Sequence, residues 1–332
     1  YRGEITGRIL AYSKALGGKL SAADFDEYRP EWVKPLSTEY RGWTVYELPA
    51  PTQGIAALSM LNILENVALQ KYGHNSVASL HNMIEAKKLA YADMEKHVAD
   101  AHFVTIPNAE ILSKPYAQSR ASLIDQKRAN CDVSAGTLPD HGGDTTYLSV
   151  VDAEGNMVSL IQSIYYPFGS GLVAEGTGFA LQNRGQLFNL DVNHPNVFAP
   201  RKRPLHTIIP AFMEKDDVKI AFGIMGGWNQ AQAHAQFVSN IVDHKMNIQA
   251  AMEAPRFSKW TFAGCDVMIE ARLKEPIRAG LTGLGHELTV KEDFSEYMGG
   301  GQAVKRNFST KVNFGASDPR KDGAAIPEPL AK

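Results

Sequence analysis

The chain has 332 residues, of which 44% are hydrophobic and 21% are charged, and its formal net charge at pH 7 is −2. This composition is typical of a globular protein with a core of ordinary size, and the length permits two lobes or one large α/β unit. The small net charge does not favour binding to nucleic acid or to an anionic membrane surface. The most apolar long stretch, residues 54–69, is too short and too polar to span a bilayer.

The predicted elements of the first part are mainly helical. Alternating residues predict a short strand at 41–48, and the apolar run at 54–69 predicts a buried helix. Asn75-Ser76 offers an N-cap for a second, long helix. From Cys131 to Asp144 the residues become small and polar, which indicates a loop or an exposed linker.

Strand patterns dominate the second part of the chain. We predict strands at 145–151, 157–163, 219–224 and 265–270, one helix at about 229–243, and an irregular tail from Gly315. Strands mixed with long helices favour a layered α/β arrangement.

Two of these strands, 145–151 and 157–163, form a predicted hairpin. The connecting residues end in Gly155-Asn156, both of which tolerate positive φ angles. If the hairpin folds symmetrically about Glu154, Thr145 faces Ser163, with Cβ atoms about 4.5–5.5 Å apart. A bulge at Gly155 would shift this register by one residue.

A threonine at the head of this strand suggests a chemical role. A threonine hydroxyl is a weak nucleophile unless a base removes its proton, and an N-terminal threonine carries such a base in its own α-amine. Thr145 would first have to attack the Asp144 carbonyl, giving an ester that water hydrolyses. Ser163 would then orient the Thr145 hydroxyl. The simpler interpretation is an ordinary strand, because threonine favours strands.

Several further motifs accompany this hairpin: Gly143-Asp144-Thr145-Thr146-Tyr147, Phe168-Gly169-Ser170-Gly171, Arg203-Pro204-Leu205, Gly226-Gly227, Ala254-Pro255-Arg256-Phe257 and residues 316–323. In this order they resemble the gamma-glutamyltransferase family of N-terminal nucleophile hydrolases. Residues 40–42, 49–54 and 85–93 also match, so the resemblance covers essentially the whole chain.

This resemblance implies an α/β fold, an αββα sandwich whose N-terminal part is missing from the chain. It implies cleavage between Asp144 and Thr145 into a mainly helical portion of a large subunit, 1–144, and a small subunit, 145–332. Thr145 would be the nucleophile, and Ser163 matches a second family hydroxyl that is usually a threonine. Gly226 and Gly227 match the glycines whose N–H groups form the oxyanion hole.

The chain departs from the family pattern at the positions where typical members bind the substrate. Leu187 and Gln186 replace two acids, one of which grips an α-ammonium group, and Arg184 replaces a neutral glutamine. Tyr165 stands in place of an asparagine, and His206 and Thr207 in place of two serines that hold an α-carboxylate. Thr207 could keep one hydroxyl contact, and His206 could add a donor or, at lower pH, a charge.

These departures predict an acyl group without an α-ammonium. A glutaryl-type monoamide fits, because Arg184 can bind a carboxylate, and this is the behaviour of the cephalosporin-acylase-like branch. The alternatives are true gamma-glutamyl hydrolysis or transfer, with water or an amine as acceptor, and a degenerate or unprocessed relative that acts as a binding protein.

Other classes of site have little support. Histidine pairs such as His74 and His81 lack tight ligand spacing, so we predict no metal. The Gly299-Gly300-Gly301 run has no following Lys-Ser or Lys-Thr and is not a phosphate loop, so no cofactor is expected.

The two cysteines and the first residue do not decide the cellular compartment of the protein. Cys131 and Cys265 have no CxxC spacing, and a single disulfide between them is compatible with the sequence. No signal peptide is visible, but the chain starts at Tyr1 instead of Met, so we expect an upstream segment that is not represented here. A cytoplasmic and a secreted or periplasmic location both remain open.

Overall fold

The computed structural model describes residues 1–133 and 144–328. Within these ranges the helices are α1 (Glu4–Ala15), α2 (Ala22–Asp26), α3 (Gly54–Glu65), α4 (Leu69–Tyr72), α5 (Val77–His97), α6 (Asn108–Ile111), α7 (Lys114–Ala121), α8 (Asn229–Val242), α9 (Ile248–Glu253) and α10 (Glu275–Gly283). The strands are β1 (Leu36–Tyr40), β2 (Trp43–Glu47), β3 (Asp144–Val151), β4 (Met157–Tyr165), β5 (Ala211–Lys215), β6 (Val218–Ile224), β7 (Phe257–Ser258), β8 (Asp266–Glu270), β9 (Glu287–Lys291), β10 (Gly301–Asn307) and β11 (Val312–Ser317).

The main sheet has six strands in the order β1-β2-β5-β6-β10-β11, and every neighbouring pair is antiparallel. Helices α3 and α8 pack against this sheet, and α5 packs on α3. The hairpin β3–β4 forms a separate two-stranded sheet that contacts β6 and β10. A third sheet contains β7, β8 and β9. The result is a layered arrangement of helices and sheets.

Helix α3 is apolar on all sides, and all of its residues except Glu65 are buried, as expected for a helix inside a core. The predicted helix 54–69 is too long, because α3 ends at Glu65. The Asn66 side chain donates to the carbonyl of Asn62 at 3.0 Å and so competes with the backbone ladder. The predicted N-cap of α5 is confirmed, since the Ser76 hydroxyl accepts a hydrogen bond from the Ser79 N–H at 3.1 Å.

The predictions of strands β2, β6 and β8 and of helix α8 are confirmed to within two residues at most ends. The prediction of an irregular tail from Gly315 is wrong at its start, because Gly315 lies in β11 and pairs with Val304 of β10. Residues Gly315-Ala316-Ser317 have low strand propensity, and pairing with β10, in which Ala303 lies opposite Ala316 and both are buried, overrides it.

The loop predicted at 131–144 falls mostly on residues 134–143, which lie outside the described residues. Just before that segment, Cys131 is joined to Cys265 by a disulfide, which connects the chain after α7 to the start of β8. Nowhere in the described ranges does a helix have the length and apolar character needed to cross a membrane.

The hairpin β3–β4 has a mixed inner face and an apolar outer face. Its inner face buries Thr145 and Tyr147. Its outer face exposes Leu148, Val150, Val158, Leu160 and Ile164, each 37–51% accessible. The inner face packs on the main sheet, and the outer face leaves apolar surface accessible in the described structure.

We predict that the hairpin depends on the absence of a side chain at position 223. A Cβ added at Gly223 would lie 2.4 Å from ring carbons of Tyr147. Overpacking of this kind costs about 1–3 kcal/mol, so Gly223→Ala should lower the free energy of unfolding by that amount in urea titrations.

The matched control is Gly283→Ala, because a Cβ there meets nothing within 4 Å. Its stability should be unchanged or raised by up to about 1 kcal/mol. Equal stability of the two variants would contradict the close packing of the hairpin on β6.

Candidate active site

The open end of the hairpin brings two hydroxyls together. Thr145 pairs with Ser163 in the β3–β4 ladder, and Thr145 Oγ1 donates to Ser163 Oγ at 3.1 Å. The predicted register is therefore confirmed, and the ladder's one irregularity lies between Asp144 and Thr145 instead of at the turn. Thr145 is only 5% exposed.

The direction of the hairpin along β6 follows from contacts at its two ends. At the turn, Arg306 donates to the carbonyl of Asp152 at 3.2 Å, and Arg306 faces the first residues of β6. Nearer the open end, the Tyr147 ring covers Gly223, the penultimate residue of β6. Thr145 precedes Tyr147 by two residues on the same face, which advances it by about 6–7 Å. Thr145 therefore lies towards the end of β6, from which the chain continues into the next loop.

That loop contains Gly226 and Gly227 and leads into α8. Their φ angles are 128° and 58°, a region that favours glycine. Their carbonyls accept hydrogen bonds from the N–H groups of Asn229 and Gln230, whereas their own N–H groups have no acceptor among the described residues. Two free N–H donors beside a helix N-terminus can stabilise a developing negative charge.

Tyr165 and Arg184 lie next to the Thr145–Ser163 hydroxyl pair. The Tyr165 N–H donates to Ser163 Oγ at 2.9 Å, and the Arg184 guanidinium lies 5.0 Å from the centre of the Tyr165 ring. Arg184 Nη1 donates to Thr207 Oγ1 at 3.0 Å. Tyr165 has a φ of 79°, which an asparagine adopts more readily than a tyrosine. The hydroxyl pair is thus linked by contacts to Arg184 and Thr207.

The charge of Arg184 is not compensated by the surrounding protein. Its side chain is buried, and neither an ion pair nor a partner for Nη2 exists within the part of the chain that the structure describes. Burial lowers the pKa of Arg184 to about 10, so it is still charged at neutral pH. Several other buried cations are paired with carboxylates, as Arg256 is with Asp318 at 2.8 Å. An unpaired buried cation is costly, and an anion from outside would relieve that cost.

His206 lies beside Arg184 in an uncharged state. Burial first, and then the charges of Arg184 and Arg203, lower the pKa of His206 to about 3. Its Nδ1 is buried and has no partner among residues 1–133 and 144–328. The expectation that His206 could add a charge at lower pH therefore needs correction, because the imidazole stays neutral until about pH 3.

Gln53 is a part of this region that the sequence analysis missed. Its side chain is fully buried, and Nε2 donates to the carbonyls of Thr207 at 2.5 Å and Gly227 at 2.8 Å. A glutamine between Pro51-Thr52 and an apolar helix was an available signal, because a buried amide needs partners.

A separate cluster of His81, Glu85 and His286 holds three ligand-type atoms within 4.8 Å of one another. Sequence spacing did not indicate it, since His286 is distant along the chain. The two imidazoles hydrogen-bond to each other at 2.8 Å, and Glu85 is ion-paired with Lys88 at 2.7 Å. Because Lys88 already neutralises the carboxylate, we assign no metal to this cluster.

A family model described as gamma-glutamyltranspeptidase matches residues 1–328. The chain belongs to the gamma-glutamyltranspeptidase family. The membership predicted from the motifs is thereby confirmed.

Curated relatives in this family match nearly the whole chain. It is 37% identical over 330 residues to the glutathione hydrolase-like YwrD proenzyme of Bacillus subtilis, covering 98% of this chain and 62% of that protein. It is 33% identical over 329 residues to the oxamate amidohydrolase proenzyme of Klebsiella pneumoniae, covering 98% and 61%. The chain thus spans about three fifths of the length of these relatives.

Among solved structures, the cephalosporin acylase from Bacillus halodurans superimposes with a TM-score of 0.88 and 42% sequence identity. The match covers 98% of this chain and 58% of that structure. It confirms the layered helix-and-sheet fold that the family resemblance predicted.

The lowered pKa of His206 predicts a pH dependence of stability. Between about pH 3 and the usual value of 6.5, the unfolded chain binds a proton that the folded chain does not, so stability falls as the pH decreases through this window. His206→Gln removes this contribution. Between pH 7 and pH 5, the wild type should lose more unfolding free energy in urea titrations than this variant, by at most about 1.4 kcal/mol per pH unit.

The control is His102→Gln, because the His102 side chain is 65% exposed. This variant should lose stability in parallel with the wild type. If His206→Gln also parallels the wild type, His206 is not held in its neutral form by the fold.

Proposed function

We propose that this chain carries the nucleophile of a self-processing amidohydrolase, with Thr145 as the N-terminal residue of a small subunit, 145–332, freed by cleavage after Asp144. The observation that carries the proposal is the position of the Thr145–Ser163 pair towards the end of β6, next to a loop whose two glycine N–H groups have no acceptor in the described structure. Several of the relatives are named as proenzymes, which agrees with a maturation step.

The processing step uses the same hydroxyl as turnover. Thr145 Oγ1 attacks the carbonyl carbon of Asp144, the peptide C–N bond breaks, and the acyl group moves to the oxygen as an ester. Water then hydrolyses this ester, leaving the Asp144 carboxylate and the free α-amine of Thr145. The new amine has a pKa of about 7.7–8.0, so part of it is neutral at physiological pH and can act as a base.

In turnover, the α-amine takes the proton from Thr145 Oγ1 as the oxygen attacks the substrate amide. Negative charge develops on the carbonyl oxygen, where the N–H groups of Gly226 and Gly227 would receive it. Each such donor contributes about 2.7–4 kcal/mol to transition-state stabilisation. The amide C–N bond breaks, and the proton passes to the leaving amine. Water or an amine acceptor then takes the acyl group from Thr145.

Ser163 has an orienting role in this scheme. Its oxygen accepts from Thr145 Oγ1 and also from the Tyr165 N–H, so it is itself held in place by the backbone. A fixed acceptor limits the rotamers of Thr145 and so would hold its oxygen in one position for attack.

For the acyl group, we propose a carboxylate-bearing chain without an α-ammonium, such as a glutaryl monoamide. The support is the buried Arg184, whose Nη2 lacks a partner among the described residues, together with the neutral state of His206. Leu187, one of the residues in the place of the family acids, is also buried. An ammonium in this region would meet a like charge, whereas a carboxylate would pair with Arg184.

Two alternatives have some support. Relatives named glutathione hydrolase favour gamma-glutamyl cleavage, which would need an acid from outside the described residues to hold the ammonium. The altered substrate residues favour a degenerate protein that binds without turnover, with Tyr165, Arg184, His206 and Thr207 as the binding surface.

The processing step makes a direct prediction. Mass spectrometry of the purified protein should find two fragments with the junction at Asp144-Thr145, and Thr145→Ala should stay intact. Because the disulfide joins Cys131 in the first fragment to Cys265 in the second, the fragments should migrate together on a non-reducing gel and separate after reduction. An intact wild-type chain, or a junction elsewhere, would contradict cleavage at Thr145.

The acyl preference is tested with a matched pair of anilides. We expect kcat/KM to be at least about tenfold higher for the glutaryl than for the gamma-glutamyl anilide. Arg184→Met should reduce the glutaryl value by about 10- to 100-fold, since a hydrogen bond to a charged group contributes about 1.5–3 kcal/mol.

Arg201→Met is the control for the change in charge, because the Arg201 side chain is 71% exposed. It should leave both values unchanged. A clear preference for the gamma-glutamyl anilide would contradict the proposal of a carboxylate-bearing acyl group without an α-ammonium. Processed protein that cleaves neither anilide would favour the binding-protein alternative.

A further inference from the structure

We propose that Gln53 is a positioning residue that holds the oxyanion loop at Gly226-Gly227 at a fixed distance from the segment carrying Thr207. This inference rests on the function proposed above. Gln53 touches neither the proposed nucleophile nor the reacting atoms, and it acts through the backbone of two other segments.

The carboxamide of Gln53 uses both of its hydrogens on these two segments. A glutamine amide has two N–H donors. Nε2 lies 2.5 Å from the Thr207 carbonyl oxygen and 2.8 Å from the Gly227 carbonyl oxygen. With both donors engaged and the side chain fully buried, the amide has one orientation that satisfies its partners.

The oxygen of the amide faces the Tyr91 hydroxyl. Gln53 Oε1 lies 3.3 Å from the Tyr91 hydroxyl, which donates to the Trp228 carbonyl at 2.5 Å. Gln53 and Tyr91 therefore hold two successive carbonyls of the loop, those of Gly227 and Trp228. Gln53 itself stands at the N-cap of α3, and that buried helix provides a rigid support.

The loop needs such support because its residues are glycines. Gly226 and Gly227 have positive φ angles, and glycine has access to many other conformations. From α8, the Gly227 carbonyl accepts one hydrogen bond within the described ranges, from the Gln230 N–H at 3.2 Å. Donors stabilise a transition state best when they need no reorganisation, so a second anchor on this carbonyl should increase the rate of the chemical step.

The hydrogen bond from Gln53 to Thr207 leads to the proposed acyl-group site. Thr207, whose carbonyl it holds, accepts from Arg184 Nη1 at 3.0 Å through its hydroxyl. A continuous series of hydrogen bonds thus runs from the Gly227 carbonyl through Gln53 and Thr207 to Arg184. Through this series one side chain sets the separation between the oxyanion loop and the cation that would bind the acyl carboxylate.

A buried glutamine in α8 provides a matched control. Gln236 Nε2 donates to the carbonyls of Gln232 and Phe257, both at 3.1 Å, and Oε1 accepts from the Phe257 N–H at 3.2 Å. Within the described ranges, none of these hydrogen bonds involves the Gly226-Gly227 loop or Thr207. Replacing either glutamine by methionine keeps the volume and removes the amide hydrogen bonds.

We therefore compare Gln53→Met and Gln236→Met with the wild type, using the anilide that the wild type cleaves faster. Gln53→Met should lower kcat by about 100-fold, near the loss caused by removing one oxyanion donor, and should change KM less than threefold. Gln236→Met should lose comparable thermal stability but keep kcat within threefold. Gln53→Asn, which keeps the amide and shortens its reach, replaces Gln53→Met if that variant does not fold.

Amide hydrogen exchange of residues 225–228 gives a second readout that needs no turnover. We expect faster exchange there in Gln53→Met and unchanged exchange in Gln236→Met. Unchanged exchange in both variants, or equal losses of kcat in both, would overturn the positioning role. A wild type that is not cleaved at Thr145 would overturn the proposed function instead, and the exchange data would still decide the role of Gln53.

Discussion

The close approach of the Tyr147 ring to the backbone of Gly223 determines where the chemistry can occur. A side chain at position 223 would overlap the ring, so the hairpin can lie this near to β6 only because that residue is a glycine. Arg306 holds the turn end of the hairpin over the start of β6, so its open end falls at the other end of the strand. This arrangement places Thr145 towards the Gly226-Gly227 loop, whose N–H groups are unpartnered in the described structure.

The electrostatics of the region around Arg184 follow from the burial of its charge without a carboxylate partner in the described structure. Several buried cations elsewhere have carboxylate partners, such as Lys88 with Glu85 and Arg320 with Glu270. Arg184 instead donates to the neutral hydroxyl of Thr207. Burial, followed by the charges of Arg184 and Arg203, lowers the pKa of His206, so this imidazole remains neutral. The charge of Arg184 therefore has no carboxylate partner among the described residues, which is the physical basis for proposing an anionic acyl group.

The proposed division after Asp144 does not coincide with a division of the fold. Strands β1 and β2 precede it and join the main sheet through the pairing of Tyr46 with Phe212 in β5. Gln53 lies in the first part and holds Gly227 in the second, and the disulfide joins the same two parts. We infer that cleavage would release the Thr145 amine while the sheet, the loop and the core remain assembled.

The sequence by itself determined the features that depend on neighbours along the chain. The N-cap of α5 and the pairing of Thr145 with Ser163 were predictable because capping and turn chemistry act over a few residues. The order of the motifs was also sufficient to recognise the family. The tertiary structure alone decided the roles available to Gln53, the uncompensated charge of Arg184, the low pKa of His206 and the pairing of Cys131 with Cys265. Each of these depends on which distant segments share a buried space, because desolvation and hydrogen bonding are set by three-dimensional neighbours and leave no periodic pattern in the sequence.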